Sequence, residues 1–223
     1  MVRRCVAINI EFLTDNLSEN FIKEYIFTIW KILFQDILET VKVCIIASSK
    51  LILDKLSSIL SETDNSKSAE LLKLVQGAGR TFIGGAGRSL LVSRFFAMRL
   101  VHAGYNVSMI GEVVTPAIKA GDLLLLVSGS GGTETLLPFV KKAKSVGAKL
   151  VVISMKKSSP MADAADLTVQ IGNDNSFPLT QGMPMGSQFE LSTLLFLEAA
   201  IADLIFAKGL TEEGMRAIHA NLE

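Results

Sequence analysis

Val127–Thr135 reads VSGSGGTET, a run of serines and glycines set between two apolar stretches. Upstream, Asp122–Leu126 is short and apolar, the length of a buried strand. Downstream, Leu136, Leu137, Val140 and Ala143 recur at helical spacing, which predicts a helix over Thr133–Val146. A strand, a glycine turn and a helix start together make an anion site. Glycine lets the backbone come close to a ligand, and the first helical amides have no partner inside their own helix. The helix dipole favours negative charge at that end, so a phosphate is the expected guest. Around Gly131, Ser128, Ser130 and Thr133 supply neutral hydroxyl donors, suited to a ligand that must also leave.

The same pattern occurs once upstream. Arg80–Ile83 predicts a strand entering GGAGRS at Gly84–Ser89. A helix follows over Leu90–Val101, ending near His102 with Gly104 as terminator. Gly85-x-Gly87 resembles the opening of a dinucleotide fingerprint, and Glu112 follows the next strand about where a ribose-binding acid would stand. Leu90 occupies the place of the third glycine, however. Arg88 and Ser89, beside Gly87, offer a cation and a hydroxyl to a phosphate or a sugar hydroxyl. No GxxxxGK[ST] loop is present, which argues against nucleoside triphosphate hydrolysis.

Working outward, Asn106–Ile110, Lys149–Ser154 and Leu167–Ile171 read as further strands, for five in all. Gly111–Ala120 reads as a loop. Ser159–Ala165 predicts a short helix with Ser159 as N-cap and Pro160 in its first position. Strands alternating with helices predict an α/β fold with a parallel sheet and helices on both faces. Ligands of such sheets bind beyond the carboxyl ends of the strands, where the strand order reverses. Both Gly/Ser turns open there. After a Pro/Gly-rich loop at 172–186, Ser187–Phe206 is helical and apolar almost all round, so it is buried in the core or in a subunit interface. Ser187-x-x-Glu190 at its start is a capping box, in which Glu190 bonds the N-cap amide. Thr211–His219 predicts a last short helix, and His102 reads as structural.

Composition narrows the partners. The chain carries 22 Lys and Arg against 22 Asp and Glu, a net charge of zero, so no nucleic-acid partner is expected. Cys5 and Cys44 stand far apart, which fits a reducing compartment, and with only two histidines no metal site is expected. Arg3 and Arg4 precede an apolar stretch, but Glu11, Asp15 and Glu19 interrupt it too early for a signal peptide. Phe21–Val43 is greasy, with Phe27, Trp30, Ile32 and Phe34, yet its charges argue against a membrane span. Residues 1–43 are expected to be an N-terminal extension, either helical and docked on the body or a partner chain, or poorly ordered. Helices over Ile45–Leu60 and Ser68–Leu74, joined by the polar Ser61–Ser66, lead into the first strand.

Several stretches together resemble the sugar isomerase (SIS) domain family, and within it the 6-phospho-3-hexuloisomerases. They are GAGRS at 85–89, FAMRLVHAGYNV at 96–107, GEVVTP at 111–116, SGSGGT at 128–133, SSPMADAADL at 158–167, PMGSQFELS at 184–192 and HANLE at 219–223. They run in order through 44–223. One departure is Gly132, where relatives usually read Glu. The resemblance implies a three-layer αβα sandwich of flavodoxin-like type. It implies cofactor-free, cytoplasmic isomerisation of D-arabino-hex-3-ulose 6-phosphate and fructose 6-phosphate through a cis-enediol, as in the ribulose monophosphate route of formaldehyde fixation. It further implies Glu190 as the base, His219 as an assisting imidazole and a homotetramer. A non-catalytic phosphosugar sensor and a dinucleotide-dependent oxidoreductase are the competing readings; a carboxylate at the reacting carbons and the missing third glycine weigh against them in turn.

Overall fold

The structure is a computed structural model that describes residues 19–178, 183–219 and 221; within its first helix the side chains of 19–22, 25–26 and 42–47 are not described. The N-terminal stretch holding Arg3, Arg4 and Cys5, four residues of the 172–186 loop, and Ala220, Leu222 and Glu223 lie outside the described residues. Five strands, β1 (Thr81–Gly85), β2 (Val107–Met109), β3 (Leu123–Val127), β4 (Lys149–Ser154) and β5 (Leu167–Gln170), form one sheet in the order β2-β1-β3-β4-β5, with every pairing parallel. The six helices described are α1 (Glu19–Ser61), α2 (Ser66–Gly77), α3 (Arg88–His102), α4 (Leu137–Ser145), α5 (Ser187–Lys208) and α6 (Glu212–Ala217).

The chain divides into two units, Met1–Leu51 and Ile52–Glu223. In the second, all of β3 is buried because both faces of the sheet are covered. Leu123, Leu125 and Val127 face the layer that holds Phe96 of α3 and Leu197 of α5, whereas Leu124 and Leu126 face Val140 of α4. The end of α1 belongs to the first layer through Ile59. Thr63 and Glu62 then tie it to the start of the 172–186 loop, the Thr63 hydroxyl accepting from the Gly172 amide at 2.8 Å. At the amino end of the sheet, Asp166 accepts from the Leu150 amide, Lys149 and Lys144. Partial burial would raise its pKa, but those three donors outweigh burial and hold it below the ordinary carboxylate value.

Three elements differ most from the sequence reading. The helix after the SGSGGT turn starts at Leu137, not Thr133. Pro138 explains this: in a helix begun at Thr133 it would lack an amide for the i−4 bond and clash with that carbonyl, whereas in a first turn it is tolerated. Ser159–Ala165 is a turn rather than a helix. Ser159 does cap it, accepting from the Ala162 amide at 3.2 Å, but Asp166 N bonds Leu150 O and returns the chain to the sheet at once. The helix expected over Ile45–Leu60 extends back to Glu19, since neither glycine nor proline occurs from 19 to 61 to stop it. Among the described residues, no helix is long and apolar enough to cross a membrane.

Candidate active site

The strand order reverses between β1 and β3, and their carboxyl ends lie side by side, Gly85 opposite Val127. Both Gly/Ser turns therefore leave the sheet at one place. The second turn is tightly held. Ser128 and Thr133 hydroxyls share a hydrogen bond of 2.9 Å, the Gly131 amide donates to Ser128 O at 3.0 Å, and the Gly132 amide donates to Ser130 Oγ at 3.3 Å. Gly131 has φ +62°, and a Cβ there would stand 2.0 Å from Ser159 Oγ. Gly132, by contrast, has room, with Pro160 Cδ the nearest atom at 4.0 Å, so the turn does not depend on glycine at that position. Among the described residues, the amides of Thr133, Glu134 and Thr135 have no protein acceptor. With the helix starting only at Leu137, it is these turn amides and hydroxyls, more than a helix end, that are available to an anion.

A third element closes the site. The start of α5 approaches both turns: Phe189 packs on the Gly129 backbone, and Glu190 accepts from Nε of Arg88 at the head of α3. The Glu190 side chain is 11% exposed and that of Arg88 61%, so a buried carboxylate is held by a guanidinium still open to solvent. Gly186, at φ +87°, precedes the helix, and the Glu190 carboxylate lies over it, 3.0 Å from where a Cβ would be. This corrects the capping-box reading. Gly186 is the N-cap and carries no side-chain cap, Ser187 is already helical, and the Glu190 carboxylate is engaged by Arg88. A long-range ion pair has replaced the local bond.

The structure thus brings Gly87, Arg88, Ser89, Ser128, Ser130, Gly131, Thr133 and Glu190 to one crevice. His219 is not among them. Its ring stacks on buried His102, with centroids 4.7 Å apart. Parallel α3 and α5 are pinned by Arg88–Glu190 at one end and Arg99–Glu198 further along. His102 is the last of the 15 residues of α3, about 20 Å from Arg88 at 1.5 Å per residue. The chain's own His219 therefore stands at the other end of the helix from its own Glu190. Glu112 pairs with Arg94 at 2.6 Å on the exposed side of α3, so it is not a free ribose-binding acid.

Sequence reasoning missed three contributors. Ser154 ends β4 and donates to Gly129 O at 3.0 Å, bracing the turn. Ser159 fills the space that Gly131 leaves. Met155, Phe177, Met183 and Phe189 line an apolar cavity of about 230 Å³ that shares Gly186 and Phe189 with the site. Of these, only Ser154 had a signal in the sequence: a polar residue at the carboxyl end of a strand next to the crevice.

Two Gly/Ser turns at the strand switch point, with a sheltered carboxylate beside them, are the arrangement an αβα domain offers to a small anionic ligand. The SIS domain model matches residues 74–201, more than half of the chain, and the protein belongs to that family. It is 68% identical over 176 residues to the 3-hexulose-6-phosphate isomerase of Methylomonas aminofaciens, covering 78% of this chain and 97% of that one. To the enzyme of the same name from Bacillus subtilis it is 36% identical, covering 77% and 95%. Its fold is similar to the crystal structure of a Methanococcus jannaschii protein that is described as inferring a molecular function of 3-hexulose-6-phosphate isomerase. There the TM-score is 0.70 at 32% identity, covering 78% of this chain and 98% of that one.

Proposed function

We propose that this chain is an enzyme that interconverts D-arabino-hex-3-ulose 6-phosphate and fructose 6-phosphate. The observation that carries this reading is the sheltered Glu190 carboxylate beside a neutral phosphate cradle; the isomerase names of close relatives support the substrate. The phosphate sits in the turn 128–133, held by Ser128, Ser130, Thr133 and the turn amides. Gly87, Arg88 and Ser89 form the facing wall. Glu190 takes the proton from C2 of the 3-ketose, leaving an enediolate across C2 and C3, and returns it to C3 as the O2 proton leaves and O3 gains one. The carbonyl has then moved to C2, with no net change in atoms or electrons. The guanidinium of Arg88 offers positive charge to the enediolate oxygen in a partly dry site. No step calls for a cofactor. A panel of hexulose and aldose phosphates tests the reading: turnover and solvent-proton exchange should be confined to the 3-hexulose and fructose 6-phosphates. Binding without either would make the chain a sensor.

The cradle has its own test. Ser130→Ala and Thr133→Val should each weaken phosphosugar binding by about 1–3 kcal/mol, the cost of a lost hydrogen bond to a charged group. Equal affinity for fructose and its 6-phosphate by titration calorimetry would overturn the assignment of 128–133 as a phosphate site.

The working form is a cytoplasmic homo-oligomer, a tetramer, in which His219 serves the site of a neighbouring copy. Support comes from its distance to its own Glu190 and from the apolar character of α5. Mixing inactive Glu190→Gln with inactive His219→Ala subunits should then restore up to a quarter of the sites in randomly mixed pairs. No recovery after subunit exchange would confine His219 to a structural role. Residues 44–223 constitute the isomerase domain and 1–43 an extension, with α1 crossing that boundary.

A further inference from the structure

The first unit exposes a patterned apolar stripe that the isomerase reading does not use. On α1, Phe27, Trp30, Phe34, Ile37 and Val41 follow one another at steps of three, four, three and four residues. That is the a/d repeat of a helix that packs against another helix. All five are open, from 47% exposed at Val41 to 70% at Phe27. Leu38 flanks the stripe and widens it, and Ile32 alone of the exposed large apolar residues on this part of α1 lies off it. Three polar residues of this stretch bond within their own helix: Thr28 bonds Glu24 O, Thr40 bonds Asp36 O and Gln35 bonds Glu39.

We propose that this stripe is a self-association seam that docks α1 of a second copy of this chain. Pattern, area and position in the chain single out that occupant. A heptad stripe is complementary to another heptad helix, and a two-fold axis presents an identical one. The five side chains leave on the order of 600 Å² of apolar surface per copy, the upper end of what a monomer's largest patch shows. Two such faces together bury roughly 1,200 Å², the lower bound of a standard specific interface. Furthermore, the seam precedes the 74–201 family match, so it adds an association mode to the isomerase body and stands or falls apart from the catalytic reading.

Trp30 is the chain's one tryptophan, which makes the seam directly observable in the full-length protein. At micromolar concentration its fluorescence should resist acrylamide quenching several-fold better than in the urea-unfolded chain. Phe34→Glu with Ile37→Glu should abolish that protection, and Gln35→Glu on the polar side should not. In a Cys5→Ser, Cys44→Ser background, Phe34→Cys, at the midpoint of the seam, should oxidise to a covalent dimer on a non-reducing gel, and Gln35→Cys should remain monomeric. Isomerase activity, unchanged in all of them, reports that the body is folded. The proposal is overturned if Trp30 is as accessible as in urea. Protection of Trp30 without the Phe34→Cys dimer overturns it in favour of packing on the chain's own body. Protection that appears only with added phospholipid vesicles overturns it in favour of a membrane surface.

Discussion

Glu190→Gln should lower kcat about 10²–10⁴-fold, the usual worth of a positioned general base, with little change in phosphosugar affinity. The side chains are the same size, and the amide oxygen can still accept from Arg88 Nε. What is lost is the ability to take a proton from carbon. Because the N-cap is Gly186 and Glu190 makes no cap bond, the substitution leaves the helix start intact. The Arg88 side chain is 61% exposed and remains solvated without its partner, so the lost ion pair costs about 1 kcal/mol or less. Steady-state kinetics and a melting curve on one preparation separate the two effects. Exchange of the C2 and C3 protons with heavy water should vanish along with turnover. A Gln variant with near-normal kcat would remove Glu190 from the mechanism. One that unfolds would make its role structural.

The parts of this fold that were legible in the sequence are those set by short-range rules. The run Leu123–Val127 is buried whichever face each residue takes, so its length and apolarity predicted a buried strand without any period of two. The two Gly/Ser turns were legible because turn chemistry is local, and their convergence followed from strand order. Pro138 carried the true start of α4, but the apolar spacing around it dominated the reading. The Glu190 assignment shows what local rules cannot reach. Ser187 and Glu190 satisfy the capping-box spacing, yet the carboxylate's partner is Arg88, 102 residues away in sequence, and only the packing of α3 beside α5 brings them together. His219 is the same case from the other side. Nothing in HANLE announces that the ring lies against His102 at the far end of α3.

Gly131→Ala should be the most damaging single change in the phosphate cradle, and the reason is steric. The residue sits at φ +62°, where a Cβ costs roughly 1–2 kcal/mol, and that Cβ would stand 2.0 Å from Ser159 Oγ and 2.7 Å from Ser159 Cβ. Relief by backbone movement is opposed from both sides: the Gly131 amide donates to Ser128 O, and its carbonyl accepts from the Met161 amide. Forced overlap of this kind costs a further 1–3 kcal/mol, so roughly 2–5 kcal/mol of stability should be lost. The displaced turn carries Ser130 and Thr133 with it, and phosphosugar affinity should fall at least as far as in the single hydroxyl variants. Ser159→Gly opens the space at the expense of its bond to the Ala162 amide. In a double-mutant cycle the two changes should therefore couple favourably, restoring the overlap cost while leaving the backbone strain at residue 131. Denaturant unfolding of the four proteins measures that coupling. Additive losses would mean that Ser159 does not press on the turn, and a stable, tightly binding Gly131→Ala would mean that the cradle does not have this backbone.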